Sequence, residues 1–184
     1  MNTMLSKTVF ILCLLLLGLH LRADDKIAVT IAPETSTKKV FDGTYFATID
    51  YNRDFHVIIS NKTSVPVQLW RTWCSWGYYN LAFDIKLDNG KTYHLEKRKD
   101  MAWYKNYPDY YIVPPDSYFV IPVNFSKELG GASKEWNSFP DEVKSGDAVL
   151  LKALYSIPED KETKEYKVWT GRGESEWLRV TFFR

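Results

Sequence analysis

Cysteine is nearly absent from this chain. Its 184 residues include two, and one of them, Cys13, lies inside an apolar leader. Histidine is scarce as well, at three. Neither sign of charge dominates, with 24 basic side chains against 23 acidic ones and a net charge of +1. Such a balance offers no basic field for nucleic acid and no acidic tail, so nucleic acid is not an expected partner. Long apolar runs are missing too. The longest, Val9 to Leu21, spans 13 residues, short of the roughly 20 that a comfortable membrane span needs. Also lacking are G-x-S-x-G, H-E-x-x-H and any glycine-rich phosphate loop after a strand. The chain is therefore expected not to be an enzyme.

The leader sets the expected compartment. Lys7 precedes the apolar run, and Arg22, Ala23 and the charged Asp24-Asp25-Lys26 follow it. A basic start, an apolar middle and a small residue before a polar stretch describe a secretory signal peptide over residues 1–23. One domain over 24–184 follows, secreted or periplasmic, with no membrane span after cleavage. Losing Lys7 and Arg22 leaves 22 basic against 23 acidic side chains, a net −1. Cys74 becomes the only thiol, so no intrachain disulfide is available in an oxidising compartment. It is either a buried small hydrophobe or one half of an intermolecular bridge.

No segment after residue 24 carries a convincing helical period. Apolar and polar residues alternate instead over short stretches broken by turn residues, the mark of half-buried strands. Phe55, Val57 and Ile59 form one such set, as do Val65, Val67 and Leu69, and Leu81, Phe83, Ile85 and Leu87. Phe119, Ile121, Val123 and Phe125 form another, and Leu178, Val180 and Phe182 close the chain. Ile27–Ile31 and Tyr45–Tyr51 are weaker candidates. Ala148–Tyr155 is apolar on both parities, which suits a central strand. The pattern predicts an all-β, antiparallel sandwich of about eight or nine strands.

One register can be derived. A two-residue loop at Asn89-Gly90 would point Tyr93 and Leu95 away from Phe83 and Ile85. A three-residue loop, Asp88-Asn89-Gly90, pairs Leu87 with Lys91, Ile85 with Tyr93 and Phe83 with Leu95. Only the second keeps both apolar sets on one face, and it places Gly90 in the left-handed position of a bulged turn. Ser126–Gly146 has no period and reads as a long excursion. Gly171–Ser175 reads as the turn of the last hairpin, and the charged run Glu159–Glu165 as a solvated loop.

The run His56–Trp70, with Phe83–Leu95 and Val113–Phe125, resembles secreted bacterial immunoglobulin-like β-sandwich modules. The likeness rests on a strand ending at Asn61-x-Thr63, a following Pro66-Val67 strand, and the Pro114-Pro115 turn into a later strand. The same segments are more loosely similar to bacterial proteinase-inhibitor β-sandwich modules. The resemblance implies a fold and names no activity.

His56 and His94 fall on the polar parity of their strands without Cys or His neighbours at ligand spacing, so neither a metal nor a cofactor is expected. Asp84, Asp88 and Asn89 are accounted for by strand alternation and turn chemistry. Asn61-Lys62-Thr63 and Asn124-Phe125-Ser126 match the N-glycosylation pattern, and Asn61, in a turn, reads as the better acceptor.

Aromatic residues are what the chain has in plenty, at 16%. Trp70, Trp73, Trp76, Tyr78 and Tyr79 crowd one segment, and Trp103, Tyr104, Tyr107, Tyr110 and Tyr111 another. The second, with Pro108 and no alternation, reads as a loop over 101–111. If the two connections meet on one rim, Trp73, Trp76, Trp103 and Tyr107 are the candidate binding residues. The competing arrangement turns the rings inward to plug the sandwich, which burial energy favours. The expected function is non-enzymatic binding of a protein or cell-envelope component through these loops. A carbohydrate-binding module is the alternative, with Arg71, Asn80 and Asp109 as polar partners to exposed rings. A proteinase-inhibitor-like module, needing one projecting loop, is a further one.

Overall fold

The computed structural model describes residues 27–34, 47–100, 102–103, 105–126, 134–137 and 139–183. The leader 1–23 lies outside them. Among the described residues the protein is all-β, with eleven strands and two short helices, so the expected eight or nine strands are too few. In chain order the elements are β1 (Ile27–Ala32), β2 (Ala47–Asp50), β3 (Phe55–Asn61), β4 (Val67–Trp70) and α1 (Ser75–Tyr78). There follow β5 (Leu81–Lys86), β6 (Thr92–Glu96), β7 (Tyr110–Val113), β8 (Tyr118–Val123) and β9 (Ala148–Ile157). The chain closes with α2 (Lys161–Glu165), β10 (Gly171–Glu174) and β11 (Leu178–Phe183).

Three sheets result. One runs β1-β3-β8, a second runs β2-β11-β9-β5-β6 with β10 also on β9, and β4 pairs with β7. The expectation of purely antiparallel pairing fails at one edge, where β2 lies parallel to β11. Two further corrections have local causes. The expected loop over 101–111 ends at Tyr110, where β7 begins and pairs Tyr111 with Leu69 of β4. Gly171–Glu174, read as a turn, is a strand whose partner β9 supplies the ladder. Gly-Arg-Gly-Glu has no apolar alternation, so its strand character comes from pairing alone.

The charged run after Pro158 holds α2 rather than a loop. Asp160 caps it, accepting from the Thr163 amide at 2.7 Å while the Thr163 hydroxyl accepts from the Asp160 amide at 2.8 Å. Five residues are too few to show a period, but a reciprocal cap starts a turn without one.

The hairpin adopts the derived register, with Ile85 opposite Tyr93 and Phe83 opposite Leu95. Leu87 donates to Lys91 at 2.9 Å and its carbonyl accepts from Gly90 at 2.9 Å, with Gly90 at φ +85. The Pro115-Asp116 turn puts Asp116 at φ 55, a position Asp tolerates better than most residues.

Rings from two sheets meet in one core. Phe55 of β3 lies 5.7 Å from Phe83 of β5, and Phe125 lies 5.2 Å from Phe55 and 6.0 Å from Phe182 of β11. Trp136 joins them at 5.4 Å from Phe83. Each such buried side chain contributes on the order of 2–3 kcal/mol by area. Asn61 ties this core to the β4-β7 pair, its Nδ2 donating to Val65 at 2.8 Å and Val113 at 2.9 Å. No helix among the described residues is long and apolar enough to cross a membrane.

Candidate functional site

The connection after β4 doubles back at once. Gly77 and Tyr78 donate to the Cys74 carbonyl at 3.1 and 2.9 Å, closing the single turn of α1. This turn seats the Cys74 side chain inward, where it is fully buried, with Sγ 3.1 Å from the Arg71 carbonyl oxygen. Cys74 is free, and of its two readings the buried hydrophobe matches its surroundings.

The second ring-rich connection meets the first around Arg71 and again around Asn106. Arg71 donates from its amide to the Asp109 carbonyl at 2.9 Å, and its guanidinium pairs with the Asp109 carboxylate at 2.9 Å. The same guanidinium lies 4.4 Å over the Tyr111 ring. Farther out, Asn106 Oδ1 accepts from the Ser75 amide at 3.0 Å and Asn106 Nδ2 donates to Ser75 Oγ at 2.7 Å. The two loops therefore form one rim. Arg71 and Asp109, candidate sugar partners by sequence, serve here as a strut.

The four candidate rings divide between the two arrangements considered for them. Trp73 and Tyr107 are 40% and 60% exposed and pack edge to face at 4.8 Å, which makes them an outward pair. Trp103 is half-buried, 5.4 Å from Tyr78 and 6.3 Å from Tyr79. Trp76, also half-buried, leans at 6.2 Å on Trp70, which is itself buried against Tyr166 at 5.6 Å. The inward rings are thus Trp70 and Tyr78, with Trp76 and Trp103 between surface and core.

Beside the rim opens a cleft of about 420 Å³, walled by Trp70, Trp76 and Tyr79 and by the end of β9 at Ser156–Pro158. Ser75 belongs both to the loop clamp and to the cleft wall, which sets the cleft next to the clamp. Asn80 lines the cleft, is 7% exposed, and holds β9 by accepting from the Ser156 amide at 2.9 Å with its carbonyl. Its side-chain amide is shut off from solvent beside the Tyr155 hydroxyl, where it partly offsets the upward push of burial on that phenol.

The charges at this end were not legible in the sequence. Lys97 and Glu135 form a buried pair at 2.6 Å, with side chains 8% and 7% exposed. The Lys97 ammonium also lies 4.2 Å over the Tyr78 ring. They meet because 135–137 runs alongside the end of β6, Arg98 donating to Glu135 at 3.0 Å and Asn137 to Glu96 at 2.9 Å. Burial, and then the Glu135 carboxylate, push the Tyr78 hydroxyl well above the ordinary phenol value. Burial does the same to Tyr155.

His56 and His94 take no part in this site. His56 is exposed, and His94, also exposed, has Nδ1 2.8 Å from Asp84. Among the described residues no group of three His, Cys, Asp or Glu side chains stands close enough to hold a metal ion. The preference for Asn61 as glycan acceptor is overturned, since it is fully buried with both Nδ2 protons donated. The chain matches no protein-family model, no curated protein and no solved structure.

Proposed function

We propose that the chain is a non-enzymatic binding module of the secreted or periplasmic space, with residues 1–23 removed as a signal peptide. In this reading its sheets make an immunoglobulin-like sandwich, and its partner is a component of the cell envelope. The observation that carries the reading is the outward pair Trp73 and Tyr107, held on a rim whose two loops are bonded to one another. A ring left 40% or 60% exposed gives up burial energy that a core position would return. Rigid rings on a rigid rim lose little freedom on binding and supply the anchors of a contact surface. Trp76 extends the surface into the cleft, and Trp103 packs beside it on Tyr78 and Tyr79 of the same connection. The clamped loops favour a rim over the projecting loop of an inhibitor.

The test uses the full chain with Trp73→Ala and Tyr107→Ala, captured on envelope fractions and insoluble polysaccharides and melted in parallel. Each variant is expected to weaken capture by about 1–3 kcal/mol while melting close to wild type. Undiminished capture by both variants, or melting far below wild type by both, overturns the reading.

A further inference from the structure

We propose that β8 is the docking edge for a second copy of this chain, the two β8 strands pairing antiparallel across a two-fold axis at Phe119. This surface is separate from the rim and does not rest on the rim's being a binding face.

β7 and β8 are joined by one turn, Ser117 donating to the Pro114 carbonyl at 3.1 Å, yet β7 pairs with β4 and β8 with β3. The hairpin is left unzipped, and among the described residues β8 has one neighbour instead of two. The register tells which of its backbone groups face outward. Asn61 donates to the Ser117 carbonyl at 2.9 Å, so these two form a bonded pair. Along an antiparallel ladder bonded and unbonded pairs alternate. Ile59–Phe119 and Val57–Ile121 are then bonded, while Ser60–Tyr118, Ile58–Val120 and His56–Pro122 are not. The N–H and C=O groups of Tyr118 and Val120 therefore point away from β3, and no described backbone group meets them. Pro122 falls on the same outward parity, where its missing N–H breaks no ladder bond.

Exposed edges are normally protected by charge, by bulges or by covering segments, and other edges here are. Beyond β1 lies β10, close enough that a Cβ on Gly173 would stand 3.0 Å from the Ile27 carbonyl oxygen. The end of β6 is covered where Lys97 bridges to Trp136, and its start is flanked by the Lys91–Glu142 ion pair. β8 has no such protection. Its ladder with β3 runs without a bulge, and Ser117 to Ser126 contains no charged residue. Its outer face is apolar and open, with Tyr118 64% and Val120 43% exposed.

That neutrality selects the occupant. A two-fold contact sets the residues at its centre beside their own mates, so any charge there meets a like charge. β8 carries none, and it offers nothing to a charged partner. Its register also closes on itself. With the axis at Phe119, Tyr118 of one copy lies opposite Val120 of the other. Each Tyr118 amide donates to the facing Val120 carbonyl, and each Val120 amide to the facing Tyr118 carbonyl, which uses every outward group of both residues. On the outer face Tyr118 packs on Val120, an aromatic and β-branched pair. On the inner face Phe119, half-buried and stacked on Tyr111 at 5.0 Å, meets its own mate. Pro122 stops the ladder on one side and Asp116 on the other, its amide being spent on the Asn61 carbonyl at 3.0 Å. Pairing consumes the β8 edge of both copies, so the contact closes as a dimer and does not propagate.

Sedimentation equilibrium of the full chain from about 1 μM to about 1 mM covers weak and standard interfaces. Monomers are expected to give way to dimers, with no larger species. Amide hydrogen exchange should slow with concentration at Tyr118 and Val120 and stay level at Phe119 and Ile121, which β3 already holds. Val120→Lys puts two ammonium groups beside the axis and should weaken dimerisation at least about tenfold. Its dilute monomer should melt close to wild type, because the residue 120 side chain faces solvent. Val120→Pro removes only an outward amide and should weaken dimerisation likewise; if it unfolds the strand, the lysine variant decides. A monomer throughout, a dimer that Val120→Lys leaves intact, or equal exchange of the Tyr118 and Val120 amides at both concentrations overturns the proposal. So does protection of those amides by an envelope extract in a chain that stays monomeric, which would give the edge to an extended peptide of another protein.

Discussion

Gly77 sits so close to Arg71 that a Cβ on it would overlap the Arg71 carbonyl oxygen and lie 2.6 Å from the carbonyl carbon. The obstacle is main chain, which cannot swing aside as a side-chain tip does. Gly77→Ala must therefore lift α1 off the end of β4, at an overpacking cost of about 1–3 kcal/mol. Arg71 also carries the strut to Asp109, so the rim should loosen with it. Urea unfolding is expected to show a lower midpoint with an unchanged slope. An unchanged midpoint would mean that α1 is not seated on Arg71.

Gly90 makes a contrasting case. A Cβ there would meet nothing within 4 Å, but φ is +85. The cost of substitution is then conformational alone. Gly90→Val should lose roughly 1–2 kcal/mol or more, because a β-branched residue resists positive φ. Gly90→Asn should lose much less, since Asn visits the left-handed region readily. Equal urea midpoints for the two variants would refute the bulged turn.

What was readable in the sequence is what is local. The hairpin register followed from alternation and one glycine, because both act within ten residues of chain. β7 and β10 were misread for the converse reason: their strand character is conferred by β4 and β9, not by their own pattern. The parallel seating of β2 on β11 is a choice of partner, which no local pattern encodes. At the site, ring-rich composition foretold that two loops would meet. It did not foretell that Trp73 and Tyr107 face out while Trp76 and Trp103 are half-buried, since a ring is suited to either side of a surface. The Lys97–Glu135 pair joins residues 38 positions apart in sequence and carried no signal in either segment.

Cys74 offers a chemical test of the local packing. Its side chain is fully buried and its sulfur contacts main-chain carbonyl oxygens. Ellman's reagent should react with it only as fast as the protein opens, and fully in denaturant. Reductant should leave the melting temperature unchanged. A drop in melting temperature on reduction would instead reveal a bridged dimer as the stable species.

Two tyrosines should make the fold sensitive to base. Tyr78 and Tyr155 are held above the ordinary phenol value of 10.0, chiefly by burial. A folded-state value raised above the unfolded one contributes stability that is complete below about pH 10 and lost as pH rises further. Absorbance titration at alkaline pH should show these two phenols ionising together with unfolding. Tyr155→Phe removes one of them and should move the alkaline midpoint upward. Ionisation of all tyrosines in one step before any loss of tertiary signal would contradict the assignment.

Asn61 gives the sharpest test of how the sheets are joined. Its Nδ2 donates to Val65 and Val113, and its Oδ1 accepts from the Thr63 amide at 2.9 Å and hydroxyl at 2.7 Å, so its side-chain capacity is filled. Asn124 repeats the acceptor half of this turn with Ser126, but it is only half-buried. The two Asn-x-Ser/Thr triplets are thus accounted for as turns, and a glycosylating host should leave Asn61 unmodified. Asn61→Ala strands a buried carbonyl and should cost about 1–3 kcal/mol, with Asn124→Ala costing less. Asn61→Asp should be worse than alanine near neutral pH, because it turns two donors into an acceptor facing two carbonyls. Burial among acceptors raises the pKa of that new carboxyl, so its protonated form restores one donor. The Asp variant should therefore be most stable below about pH 4 and weaken as pH rises, a trend alanine at the same position does not share. Parallel pH profiles for the two variants, measured by urea unfolding, would show that Asn61 does not join the sheets through its amide.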